Sequence, residues 1–127
     1  EGESHNTLDK NIDFEGKKLD PKNSYQVLST NIDQLIDDKI LNIPKYIKID
    51  VDGIEHMILK GGIKLLKNIQ VSEIQIEINE NYNEQLNSVM KIMNECMFKF
   101  KEKKRNDSNK YYLDHKFSKM YNYYFIR

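Results

Sequence analysis

The chain has 127 residues, enough for one domain around one core. Its 20 basic and 20 acidic residues cancel, which argues against a general electrostatic grip on nucleic acid or on an anionic membrane. No apolar run approaches the roughly 18 residues of a membrane span, no signal-peptide pattern is present, and the single Cys96 excludes an internal disulfide, so the expected setting is cytoplasmic and reducing.

Residues 1–24 are polar and irregular, with Gly2 and Gly16 and few apolar anchors. They are expected to be loop, and with no Met at the start they suggest a fragment or trimmed chain ahead of an α/β domain over 25–127. Asn, Lys, Ile and Tyr abound while Ala and Trp are absent, a compositional bias without functional meaning. Tyr25 to Ser29 reads as a short strand. Thr30-Asn31-Ile32-Asp33 then reads as a helix start with a capping side chain. Ile32, Leu35, Ile36, Ile40 and Leu41 predict a helical face through about residue 41, stopped by Pro44.

Tyr46 to Val51 is the central strand. Ile47, Ile49 and Val51 point to one face, and Tyr46, Lys48 and Asp50 to the other. Ile54 to Leu66 is helical, with a break or close approach at Gly61-Gly62. Its expected core residues are Ile54, Met57, Ile58, Ile63, Leu65 and Leu66. Val71 to Ile78 alternates Ile74, Ile76 and Ile78 with Glu73, Gln75 and Glu77, the period of a strand. Asn83 to Met97 is an amphipathic helix carrying Leu86, Val89, Met90, Met93 and Met97, with Cys96 on its apolar side. Phe98 to Lys103 suggests a strand and Met120 to Ile126 a last one. Strands separated by helices predict right-handed crossovers and a parallel sheet, and the final pair predicts an antiparallel hairpin at its end.

The chemistry is expected at the end of the central strand. Asp50-Val51-Asp52-Gly53-Ile54-Glu55 places carboxylates where open α/β sheets bind ligands. The bland reading is an Asp-Gly turn capping the next helix. A calcium loop of the EF-hand type fails, because counting from Asp50 puts Glu55 where Gly is required and Gly61 where Glu is required. A phosphatase of the haloacid dehalogenase type resembles Ile49-Asp50-Val51-Asp52-Gly53, but Ile54 replaces the usual Thr or Val and no later acidic pair follows. Two strand-end carboxylates could also hold a divalent cation; this is the minor reading, and no metal site is expected. His5 and His115 lack partners at zinc-ligand spacing. His56 is expected on the helix surface. Glu77 at the next strand end is either a second site acid or a surface acid pairing with Lys48. The basic run Lys99, Lys101, Lys103, Lys104 and Arg105 reads mostly as a solvated strand and loop. Tyr111 and Tyr112 nearby add only a weak signal for an anionic ligand or nucleic acid.

Four stretches stand in order over about residues 27–80: Ile32-Asp33-Gln34-Leu35, Tyr46-Ile47-Lys48-Ile49-Asp50-Val51-Asp52-Gly53-Ile54-Glu55, Ile58-Leu59-Lys60-Gly61-Gly62, and Glu73-Ile74-Gln75-Ile76-Glu77-Ile78-Asn79. Together they resemble the C-terminal half of the FkbM family of S-adenosylmethionine-dependent methyltransferases, and the tail ending Tyr123-Tyr124-Phe125-Ile126-Arg127 suits the family's end. Asp52 stands for the more usual Glu, Gly62 for Ala and Asn31 for Thr. The resemblance implies the later half of a Rossmann-like class I methyltransferase sheet, with Tyr46–Val51 as the fourth strand and Val71–Ile78 as the fifth. It implies catalytic roles for Asp50, Asp52, Glu55 and Glu77, S-adenosylmethionine as cofactor of the complete enzyme, and methyl transfer to an oxygen of a sugar or other small hydroxylated metabolite. The first three strands are expected to be missing, and with them the glycine-rich turn and ribose-holding acid that bind the cofactor. An exposed fourth-strand edge then predicts a dimer or a missing N-terminal half. The alternative is a non-catalytic interaction module built from half of that fold.

Overall fold

The computed structural model of the chain describes residues 16–18, 20, 26–105 and 118–127. Within them the order is α1 (Ile32–Asp37), β1 (Tyr46–Ile49), α2 (Glu55–Lys60), α3 (Ile63–Leu66), β2 (Glu73–Asn79), α4 (Asn83–Glu95), β3 (Lys99–Lys104) and β4 (Met120–Ile126). Every helix and strand expected from Tyr46 onward is present. The expected strand over Tyr25 to Ser29 is not: residues 26–30 have no regular structure.

The four strands form one mixed sheet in the order β1-β2-β4-β3. β1 pairs with β2 in parallel, and β4 lies antiparallel to both β2 and β3. The terminal pair is therefore antiparallel, as expected for two strands with no helix predicted between them. β4 enters between β2 and β3, which leaves β3 as one edge and β1 as the other. A register shift between Phe100 and Glu102 kinks the β3 edge.

The period-2 pattern of β2 decides how the sheet is covered. Ile74, Ile76 and Ile78 are wholly buried, and they join Leu59, Leu65 and Leu66 from α2 and α3, Val89, Ile92 and Met93 from α4, and Tyr123 and Phe125 from β4 in one core. The opposite face carries Glu73, Gln75 and Glu77 on β2, each half-buried, beside Asn122 and Tyr124 on β4. Gln75 donates to Asn122 Oδ1 at 2.8 Å across this polar face.

Helix ends are closed by local and by distant side chains. Asn31 caps α1 by accepting from Gln34 N at 2.9 Å. The helix stops at Asp37 rather than near residue 41: Lys39 takes a left-handed φ of 58°, and Ile40 and Leu41 are exposed. Five apolar residues at helical spacing did not outweigh a turn that needs no core contact. Gly62 caps α3 without a side chain, and Asp33 supplies the missing acceptor, taking Lys64 N at 2.9 Å and Leu65 N at 2.8 Å. A Cβ at Gly62 would lie 2.6 Å from Ile32 Cγ2, so the Gly61-Gly62 break lets α1 and α3 approach closely. At the other end Arg127 donates to the carbonyls of Leu66, Asn68 and Cys96 at 2.6 Å each and lies over the Phe98 ring. It ties the last residue to the ends of both α3 and α4.

The buried side of α4 is Gln85, Val89, Ile92 and Met93, continued by Cys96, a core residue as expected. Met90 and Met97 point out instead. Val89 and Met93 are buried and Leu86 packs partly buried against the core, as expected, while Gln85 and Ile92 hold inward positions that the expected stripe omitted. In α2 the wholly buried apolar residue is Leu59, which the predicted face omitted. His56 is buried rather than on the surface, with its ring edge-on to Tyr82 at 5.7 Å.

Candidate active site

The end of β1 leads into a tight turn. Asp52 has φ 57° and Gly53 φ 106°. Asp tolerates the left-handed region better than most residues, and a φ near 106° is glycine territory. This turn reverses the chain into α2 and leaves its amides pointing inward. Glu55, at the first position of α2, folds back to receive them. Its Oε1 accepts from Val51 N at 3.1 Å, and both carboxylate oxygens accept from Gly53 N at 3.2 and 3.1 Å. Gln85 of α4 donates its Nε2 to Glu55 Oε2 and accepts Asn79 N at 2.8 Å. Glu55 and Gln85 are both 1% exposed. Burial pushes the Glu55 carboxyl above its ordinary value, while hydrogen bonds from its own amide, Gly53, Val51 and Gln85 pull the other way.

Asp50 and Glu77 end up level on the polar face, because β1 and β2 run in register from Tyr46↔Glu73 to Ile49↔Ile76. Burial first, then the charge and a shared hydrogen bond of Asp50, with smaller contributions from Glu55 and Asp52, together raise Glu77 from the ordinary 4.5 to about 7. Lys48 pairs with Asp50 at 2.9 Å. The expected alternative of Glu77 pairing with Lys48 gives way to this contact: Lys48 and Asp50 are two apart on one strand face, and Glu77 faces the acid. The hydrogen bond and charge of Asp50 raise Lys48 above its ordinary value.

Of the four carboxylates singled out in the sequence, Asp50 and Glu77 therefore meet at adjacent strand ends. Asp52 occupies the turn beside them, and Glu55 lies beneath. Sequence reasoning missed Gln85; the one available signal was a polar residue at an inward position of an amphipathic helix. The lysines of the basic run on β3 are exposed, as expected, and three of them also meet acids. Lys103 contacts Glu80, Lys104 lies 3.0 Å from Glu102, and Lys101 lies 3.9 Å from Glu73. Arg105 donates to Ser118 O at 2.7 Å and to the Tyr121 hydroxyl at 2.5 Å. Tyr123 donates to Glu80 at 2.5 Å, and its hydroxyl is pushed above its ordinary value by burial first and Glu80 second. The residues 111 and 112 that accompanied this run lie outside the described ones, as do His5 and His115.

Two hollows flank the site. One, of about 170 Å³, lies beneath the outer edge of β1 among Ile32, Ile47, Ile49, Ile58 and Leu65. The other, of about 380 Å³, lies between Ser29, Thr30 and Asn31 and the start of α2 at Ile54 and Met57. Among the described residues no three His, Cys, Asp or Glu side chains gather as a metal site, and no helix is long and apolar enough to cross a membrane.

Comparison with known families matches residues 2–100 to the methyltransferase FkbM domain. The chain belongs to the FkbM methyltransferase family. The match begins upstream of the stretch over 27–80 in which the motifs were legible, and it takes in the polar N-terminal segment. Comparison with curated proteins and with solved structures finds no match. Membership in the FkbM family supports methyl transfer in general, and the mixed α/β sheet is consistent with a methyltransferase fold.

Proposed function

We propose that this FkbM-family chain forms the acceptor side of an S-adenosylmethionine-dependent methyl transfer to an oxygen of a sugar or other small hydroxylated metabolite. The observation that carries the reading is the meeting of Asp50 and Glu77 at the carboxyl ends of adjacent parallel strands, with Glu77 held at about 7. Acids at this position face a ligand bound outside the strand ends. A carboxylate whose pKa lies near neutrality is matched to taking a proton from a hydroxyl. Asp50, fixed by Lys48, orients the hydroxyl, Glu77 receives its proton, and Asp52 lines the approach. Glu55 acts from beneath by holding the turn.

The described residues do not fit the cofactor. They include no glycine-rich turn between a strand and a helix, and neither hollow is lined by an acid that would hold ribose hydroxyls. What this half contributes is acceptor binding and proton removal. We place the four strands at the end of a Rossmann-like class I sheet, whose remaining strands would pair along the outer edge of β1, from this chain or from a second copy. Among the described residues that edge has no strand partner.

Titration calorimetry of the intact native protein with S-adenosylmethionine tests the reading. Saturable binding at one site supports it. No binding favours the interaction module built on the same fold.

A further inference from the structure

Asp50 follows β1 and Glu77 lies in β2, and among the described residues β1 is short, has an edge position and pairs on one side only. The register brings Asp50 level with Glu77, but strand pairing ends at Ile49↔Ile76, so the ladder does not itself hold Asp50 in place. Something else must hold the turn after β1 against the end of β2. The buried pair Glu55 and Gln85 does this. Glu55 gathers the amides of Val51 and Gly53, which flank Asp52 and follow Asp50. Gln85 gathers the amide of Asn79, two residues beyond Glu77. The two side chains are joined by one hydrogen bond. The amide of Gln85 has only one workable orientation, because its nitrogen must donate to the carboxylate and its oxygen must accept the backbone N–H. The pair is thus a directional clamp between α2, α4 and both strand ends.

We propose that Gln85 is a positioning residue: acting through Glu55, it sets the separation of Asp50 and Glu77 and so shapes the site in which the acceptor hydroxyl would be deprotonated. The inference rests on the acceptor-side reading above, but its geometry can be read without cofactor or acceptor.

The test is NMR of the full chain carrying Gln85→Leu, which keeps the bulk of the side chain and removes both hydrogen bonds without changing charge. Amide exchange of Val51, Gly53 and Asn79 should accelerate by about tenfold or more, while Ile74 and Ile76 in the core stay protected. The carboxyl carbon of Glu77 should titrate below its native midpoint of about 7. Around Glu77 the groups that set this value are Asp50, Asp52 and Lys48 from β1 and its turn and Glu55 from α2, with Asn122 opposite on β4. Opening the turn withdraws Asp50 and admits water, and both changes lower the midpoint.

A swap completes the test and serves if Gln85→Leu does not fold. Gln85→Glu alone sets two acids together in the core, and Glu55→Gln alone sets two amide nitrogens together. The double variant exchanges donor and acceptor between the two side chains and restores their mutual bond, the Asn79 bond and the Val51 and Gly53 bonds to one oxygen, losing only the second Gly53 contact, so it should regain most of the exchange protection that each single variant loses. An unchanged Glu77 midpoint with unchanged exchange at the three amides would overturn the proposal. So would a loss of protection spread equally to Ile74 and Ile76, which would make Gln85 a stability residue only, or a double variant no better than the singles. Failure of the acceptor-side reading is reported separately, by an absence of S-adenosylmethionine binding in the calorimetry.

Discussion

Replacing Glu77 by Gln should make the protein more stable in alkaline solution and leave it unchanged in acid. Glu77 titrates at about 7 in the folded chain against an ordinary 4.5. Below 4.5 the folded and unfolded forms both hold the proton. Between 4.5 and about 7 the folded form keeps a proton that the unfolded chain has released, so stability falls as pH rises. Above about 7 the folded form carries a charge it partly buries beside Asp50, and the loss is complete. For a fully buried group a rise of this size corresponds to about 3.4 kcal/mol. Glu77 is only about half-buried, and solvent screening brings the expected loss to about 1.5 kcal/mol. Glu77→Gln removes the charge and keeps the shape. Thermal melts of both proteins from pH 4 to pH 9 should coincide at the acid end, and above neutrality the variant should melt higher by about 5 °C. Parallel curves with a constant offset would refute the reasoning, because they would show that Glu77 titrates alike in the folded and unfolded chains.

Two further substitutions test how the elements are held. Arg127→Ala removes three bonds to helix-end carbonyls and the contact with Phe98; it should cost about 3 kcal/mol in urea unfolding, and a cost below about 0.5 kcal/mol would show the C-terminus to be incidental. Asp33→Ala leaves the amides of Lys64 and Leu65 without their acceptor; it should cost about 1 to 2 kcal/mol with faster exchange confined to α3, whereas faster exchange in α1 alone would mean that Asp33 serves its own helix.

The elements from Tyr46 onward were legible because their patterns are strong. Alternation of Ile with Glu and Gln in β2 gives a strand with one buried face, and no other element accommodates it. The Gly61-Gly62 break followed from local chemistry, and the antiparallel terminal pair from the absence of a helix pattern between the last two strands. What could not be read were arrangements made by partners distant in sequence. Asp33 looked like part of its own helix's cap and instead caps α3, 31 and 32 residues away. The place of β4 between β2 and β3 depends on pairing that no local pattern encodes. Within the site, Asp50 and Glu77 were visible as strand-end acids, and their meeting followed from parallel pairing. Glu55 was equally visible, but its burial beneath the turn was not. That burial depends on Gln85, whose polarity argued against an inward position until a buried carboxylate gave it a partner. His56 shows the same limit, since a lone histidine beside acids carries no mark of the aromatic ring that covers it.

The central claim is that Asp50 acts on the methyl acceptor and does not merely cap a turn. It is tested most directly by measuring turnover and stability of Asp50→Asn together, in the complete enzyme with its acceptor. The account predicts that turnover falls by about a hundredfold or more, while the unfolding free energy changes by less than about 1 kcal/mol, since the lost pair with Lys48 is solvent-exposed. Turnover equal to that of the native enzyme would contradict it.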